Sequence, residues 1–105
     1  MSVKKIFEER LPAKITKELA SSIAKSFQFH ITGDSCGDWY VDLSGDDNWV
    51  GEGQMDAPSC SVTMSDKTLV SLFDGTLKPE MAVMTGKTKV KGDLATAMKL
   101  KVLVA

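Results

Sequence analysis

The sequence predicts an α+β protein, with one sheet covered by helices on one face. Three observations carry that expectation. Apolar residues recur at three- and four-residue spacing through the first segment. Residues alternating with period two follow through the middle of the chain. Beyond Ser65 the helical and strand patterns come in no regular βαβ order, which excludes a doubly wound parallel sheet and favours segregated layers.

The first helical segment places Val3, Ile6, Phe7, Leu11, Ile15, Leu19 and Ile23 on one face, with lysines, glutamates and Arg10 opposite. Pro12 cannot sit deep in a helix without removing a backbone hydrogen bond, so the spacing predicts either two helices or one restarted at Pro12. Phe27, Phe29 and Ile31 then alternate with Gln28, His30 and Thr32, which is the period of a strand. Gly33-Asp34 and Gly37 mark a turn. Trp39, Val41 and Leu43 alternate with Tyr40 and Asp42, and residues 44–48 form a second turn before a weaker strand over 49–55. Short connections make these three strands an antiparallel meander. Cys60, Val62 and Met64 give a fourth strand.

Ser65 is placed to cap a helix carrying Leu69, Val70, Leu72 and Phe73, which Gly75 ends. Pro79 opens a short helix with Met81, Ala82 and Met84. The fifth strand, 87–91, alternates lysines whose charge belongs in water and protects a sheet edge. Asp93 caps a closing helix in which Leu94, Ala97, Met98 and Val102 share a face, widened by Leu100, Leu103 and Val104. Such a helix is buried, or it faces something apolar that this chain does not supply.

Composition narrows the function. The 105 residues are 43% hydrophobic and 26% charged, the mark of a single globular domain spanning 1–105. A net charge of -1 provides no global basic field for nucleic acid. No apolar run approaches the roughly 20 residues of a membrane span, and acidic residues occupy the place of a signal peptide's apolar core. Cys36 and Cys60 lack metal-type spacing and read as free thiols in a reducing compartment.

Catalytic patterns are weak. The single histidine, His30, lies on the polar phase of its strand, opposite the phenylalanines, where a solvent-facing role is the better reading. Asp42, Ser44 and Asp46 resemble the start of a calcium loop, but Gly53 stands where the closing glutamate belongs. No phosphate loop is present. Lys87, Lys89, Lys91, Lys99 and Lys101 concentrate positive charge near the C-terminus, either as a solvated face or as a rim that attracts anionic headgroups. Six methionines are many for this length, and Met packs irregular or promiscuous apolar surfaces.

Read together, Phe-Gln-Phe-His-Ile, Trp-Tyr-Val-Asp-Leu, Cys-Ser-Val-Thr-Met-Ser-Asp and the stretch from Leu77 to Leu100, with Met-Thr-Gly-Lys-Thr-Lys-Val-Lys-Gly-Asp and Met-Lys-Leu, resemble the sterol carrier protein 2 family. The resemblance covers nearly the whole chain. It implies a five-stranded, largely antiparallel sheet covered on one face by helices and enclosing an apolar lipid tunnel. It implies binding of fatty acids, fatty acyl-CoA or sterols, with no catalytic residues, no cofactor and no metal. By position the tunnel wall would include Phe29, Ile31, Trp39, Val62, Leu72, Met81, Met84, Met98 and Val102. Two tunnel-facing polar positions look like Thr85 and Lys101. Lys101 departs from the small polar residues usual there and would favour an anionic headgroup over a sterol hydroxyl.

The expected partners are therefore a lipid ligand and, transiently, a membrane, with a monomeric chain and no nucleic acid. The chain ends Val-Leu-Val-Ala, without the Ser-Lys-Leu-type signal of peroxisomal members, so the expected location is cytoplasmic or, despite that, peroxisomal. The alternative is a protein-interaction module that docks through its apolar C-terminal helix.

Overall fold

The computed structural model describes residues 3–34, 36–44, 49–92 and 99. The predicted turn at 45–48, the closing helix capped by Asp93, and the tunnel positions Met98, Lys101 and Val102 lie outside the described residues.

Helix α1 (Val3–Lys5) runs into a π-helical turn (Ile6–Arg10) and on into α2 (Leu11–Lys14). The Leu11 N–H reaches back to the Ile6 carbonyl, and ordinary α spacing has returned where the Ile15 N–H donates to the Leu11 carbonyl at 3.1 Å. Pro12 sits in the first turn of α2, where its missing N–H costs little. The helix thus restarts around Pro12 without a gap. The true break comes later, at Ile15, whose backbone is extended. Thr16 then opens α3 (Lys17–Ile23), its hydroxyl accepting from the Leu19 N–H at 3.1 Å. Val3, Ile6, Phe7, Leu11, Ile15 and Ile23 are all buried, as their spacing predicts.

Five strands form one sheet: β1 (Ser26–Thr32), β2 (Gly37–Asp42), β3 (Val50–Glu52), β4 (Cys60–Ser65) and β5 (Thr88–Gly92), in the order β3-β2-β1-β4-β5. The expected meander of β1, β2 and β3 is present. β1 and β4 pair in parallel, and the other pairs are antiparallel. β3 is shorter than the predicted 49–55, because Gly53 turns out of the strand with a φ of +114°.

Register puts each strand's apolar set on one face. Phe29 lies opposite Trp39 and beside Val62, and Ile31 lies beside Met64, which faces Thr88. Helix α4 (Asp66–Asp74) and helix α5 (Pro79–Met84) follow β4. Ser65 caps α4 through its hydroxyl, which accepts from the Thr68 N–H at 3.1 Å, and Gly75 ends the helix in the left-handed region. Leu69, Leu72 and Phe73 of α4 join the N-terminal helices and the odd-numbered residues of β1 in one core.

The opposite face carries Ser26, Gln28, His30 and Thr32 of β1. Gln28 is not in water: it is 3% exposed. Its amide donates to the carbonyls of Trp39 (2.9 Å) and Gly53 (3.0 Å), and its oxygen accepts from the Met55 N–H (2.8 Å). The connection after β3 folds back over this face, and Gln28 satisfies the backbone groups that would otherwise be stranded.

Candidate functional site

An apolar layer lies between the sheet and the helices, and its centre is aromatic. Phe7, at the π-helical turn, stacks on Trp39 of β2 at 5.0 Å between ring centroids and meets Phe29 edge-on at 5.3 Å. The wide turn positions this ring: it falls in the one stretch of the N-terminal helix that departs from α geometry, and π turns recur at functional sites.

Beside the stack a cleft of about 310 Å³ is lined by Phe7, Glu8, Pro12, Trp39, Val50, Gly51 and Glu52. Its size falls at the lower end of the range for small-molecule sites. Directly opposed residues of an antiparallel pair share a face, so Glu52, opposite Trp39, projects to the helix-covered side. Two carboxylates therefore stand at this opening, beside Phe7, Pro12, Trp39 and Val50. Glu8 is shared with Lys4 at 3.8 Å, on an exposed helix surface.

At the other edge of the sheet, α5 packs on β5. Its buried residue is Ala82, while Met81 (47% exposed), Val83 and Met84 (80% exposed) face outward. The Thr85 hydroxyl donates to the Met81 carbonyl at 2.7 Å and closes the helix. Lys89 and Lys91 point away from the core, as their alternation predicts, which turns Thr88 and Val90 inward.

Sequence-predicted positions thus divide into groups. Phe29, Ile31, Trp39, Val62 and Leu72 come together in the buried apolar layer. Met81, Met84 and Thr85 sit on the exposed side of α5. Met98, Lys101 and Val102 are outside the described residues. Sequence reasoning missed Glu8, Pro12, Val50 and Glu52 as neighbours of Trp39. No local pattern signals them, because their meeting depends on the N-terminal helix lying against the β3 edge.

On the polar face His30 is half-exposed, and its ring bonds to Asp38 at 2.8 Å. The Gln54 amide donates to the same carboxylate at 3.0 Å. These contacts, Gln54 first and His30 second, hold the Asp38 carboxyl below its ordinary value. His30 thus has a structural partner in Asp38. Among the described residues no cluster of three or more His, Cys, Asp or Glu side chains is arranged to hold a metal.

Comparison with known proteins agrees with this architecture. The profile of the SCP-2 sterol transfer family matches residues 3–105. The chain is similar to hydroxysteroid dehydrogenase-like protein 2 of Xenopus laevis, with 35% identity over 88 residues, covering 83% of this chain and 21% of that protein. It spans about a fifth of the length of that curated relative. Among solved structures it is similar to palmitated SCP2L2 from Aedes aegypti, at a TM-score of 0.74 and 26% identity, covering 99% of this chain and 95% of the other. It is also similar to sterol carrier protein 2 of Aedes aegypti in complex with palmitate, at a TM-score of 0.69 and 25% identity, covering 100% and 97%. A family profile spanning nearly the whole chain, joined to the five-stranded mixed sheet with its helical cover, establishes that the chain belongs to the SCP-2 sterol transfer family.

Proposed function

We propose that this chain is a lipid-binding domain, without catalytic machinery of its own, that takes a long-chain fatty acid, fatty acyl-CoA or sterol between the sheet and the helices. The observation that carries the reading is the continuous apolar layer of Phe29, Ile31, Trp39, Val62 and Leu72, with a cleft open beside Trp39. Its two palmitate-bearing relatives support a single acyl chain as ligand. Burial of each CH₂ contributes about 0.8 kcal/mol, so a chain of more than a dozen carbons reaches micromolar affinity after ordering costs.

The exposed Met81, Val83 and Met84, flanked by exposed Lys78, Lys87 and Lys89, form the surface through which the domain meets an anionic bilayer. Cys36 and Cys60 are not joined in a disulfide, which suits a reducing compartment and favours the cytosol. The chain acts as a monomer in this scheme.

The test is displacement of a fluorescent fatty acid from delipidated protein by palmitate, palmitoyl-CoA and cholesterol. Saturable displacement at micromolar concentration is the expected result, and the ranking identifies the ligand class. A probe that never saturates would remove the lipid reading and leave a protein-interaction module as the better account.

A further inference from the structure

Four polar side chains are buried among the described residues: Ser26, Gln28, Thr68 and Thr88. The first three are satisfied. Ser26 Oγ accepts from the Ser59 N–H at 2.9 Å, Gln28 makes its three backbone contacts, and Thr68 Oγ1 accepts from the Ser65 hydroxyl at 2.9 Å. Thr88 is the exception. It is 6% exposed, and its Oγ1 finds no hydrogen-bond partner among the described residues.

Its placement explains why none of its described neighbours satisfies it. Thr88 lies opposite Met64, which is beside Ile31, so its side chain projects to the apolar, helix-covered face. α5 packs over β5 there with Ala82, a side chain that has no polar atom to offer. Lys87 and Lys89, on either side in sequence, are exposed and point the other way. A buried hydroxyl left unpaired destabilises a fold, and valine would fill the same shape without that cost and with better strand propensity. A feature that opposes stability inside an apolar layer points to a role in binding.

We propose that the Thr88 hydroxyl receives the oxygen-bearing end of the lipid, beneath α5 at the β5 edge. This inference rests on the lipid-binding reading and deepens it. A threonine hydroxyl both donates and accepts, so it can hydrogen-bond either an alcohol or a carboxylate oxygen. It offers nothing to a bare hydrocarbon. The ligand is thereby oriented, with its polar end at Thr88 and its chain running under the sheet's apolar face toward Phe29 and Trp39.

The experiment compares wild type with Thr88→Val and Thr88→Ser, measuring competition against a fluorescent long-chain probe by hexadecanol, palmitate and hexadecane. Saturable competition by hexadecane in wild type establishes the lipid-binding reading by itself, and its absence with all three ligands overturns that reading and this inference together. Given binding, Thr88→Val is expected to weaken hexadecanol and palmitate by roughly two- to tenfold, the worth of one hydrogen bond, while hexadecane is unchanged. Thr88→Ser retains wild-type affinities. The ligand-free Tm of Thr88→Val stays level or rises. Equal weakening of hexadecane would mean a packing effect and overturn the inference. So would unchanged hexadecanol and palmitate affinity, above all with a lowered Tm, which would mark Thr88 as a structural hydroxyl satisfied by water.

Discussion

At the β3 edge of the sheet Phe7 stacks on Trp39 at 5.0 Å and the Tyr40 ring lies over Gly51, whereas at the β5 edge the buried Thr88 hydroxyl has no partner among the described residues and Met84 is 80% exposed. The same sheet is finished in two different ways. On the β3 side, rings interlock and buried polar groups are paired, so side chains have little freedom to move. On the β5 side, a polar atom and several apolar surfaces await company. The contrast teaches that the chain concentrates its own stability around Phe7, Trp39 and Gln28. The proposed ligand contacts fall around β5 and α5, in line with the general rule that binding elements come from the less stable parts of a fold.

Substitutions sharpen that contrast. The largest effect should come from Phe7→Ala, which removes a fully buried ring from two aromatic contacts. A loss of about 3–5 kcal/mol is expected in denaturant unfolding. A loss below about 1 kcal/mol would mean that the β3 side is not the stable half.

Gln28→Leu comes next. It strands the Met55 N–H and the carbonyls of Trp39 and Gly53, and about 2 kcal/mol should disappear. Amide exchange at Met55 should accelerate with it. Unaltered exchange would show that the connection is held by other contacts.

A smaller effect concerns acid. The Asp38 carboxyl is held below its ordinary value, so its stabilising contribution is full above the unfolded value of about 3.9 and fades as pH falls through the lower folded value. Because the side chain is about a third exposed, solvent screening keeps this contribution below about 1 kcal/mol. Asp38→Asn should therefore be slightly less stable than wild type at neutral pH and converge on it as pH falls below about 4, and a difference that persists unchanged in acid would contradict this assignment.

The smallest effect on stability belongs to Met84→Glu, within about 0.5 kcal/mol of wild type, because the side chain is mostly in water. Its consequence should appear in co-sedimentation with anionic vesicles, which the added carboxylate weakens. A variant that sediments like wild type would remove α5 as the membrane-facing surface.

Much of this was legible in the letters. The alternation of Phe27, Phe29 and Ile31 gave the covered face of β1 because the pleat has a strict period of two. Ser65, Gly75 and Pro79 marked helix ends because each supplies a backbone requirement that few other residues meet. Even the inward turn of Thr88 follows from the outward lysines beside it. Other features depend on distant partners. The burial of Gln28 requires residues 53–55 to fold back over it, and the projection of Glu52 toward Trp39 is set by register. The π turn and the helix break at Ile15 rather than Pro12 are announced by no residue type. Of the expected tunnel positions, Phe29, Ile31, Trp39, Val62 and Leu72 fall in the buried layer, where their alternation and helical spacing already placed them as core. Met81 and Met84 carried the same apolar signal and lie in the open, since a helical stripe shows which residues share a face but not what covers it.

The most direct test of where a lipid goes is methyl-detected NMR of the delipidated protein during titration with hexadecanol. Saturable shifts at the Ile31, Met64, Ala82 and Thr88 methyl groups, with intermolecular contacts from the ligand's oxygen-bearing carbon to Thr88, are the predicted result. Shifts confined to the exposed Met84 and Val83 methyl groups, with the interior unmoved, would contradict the account.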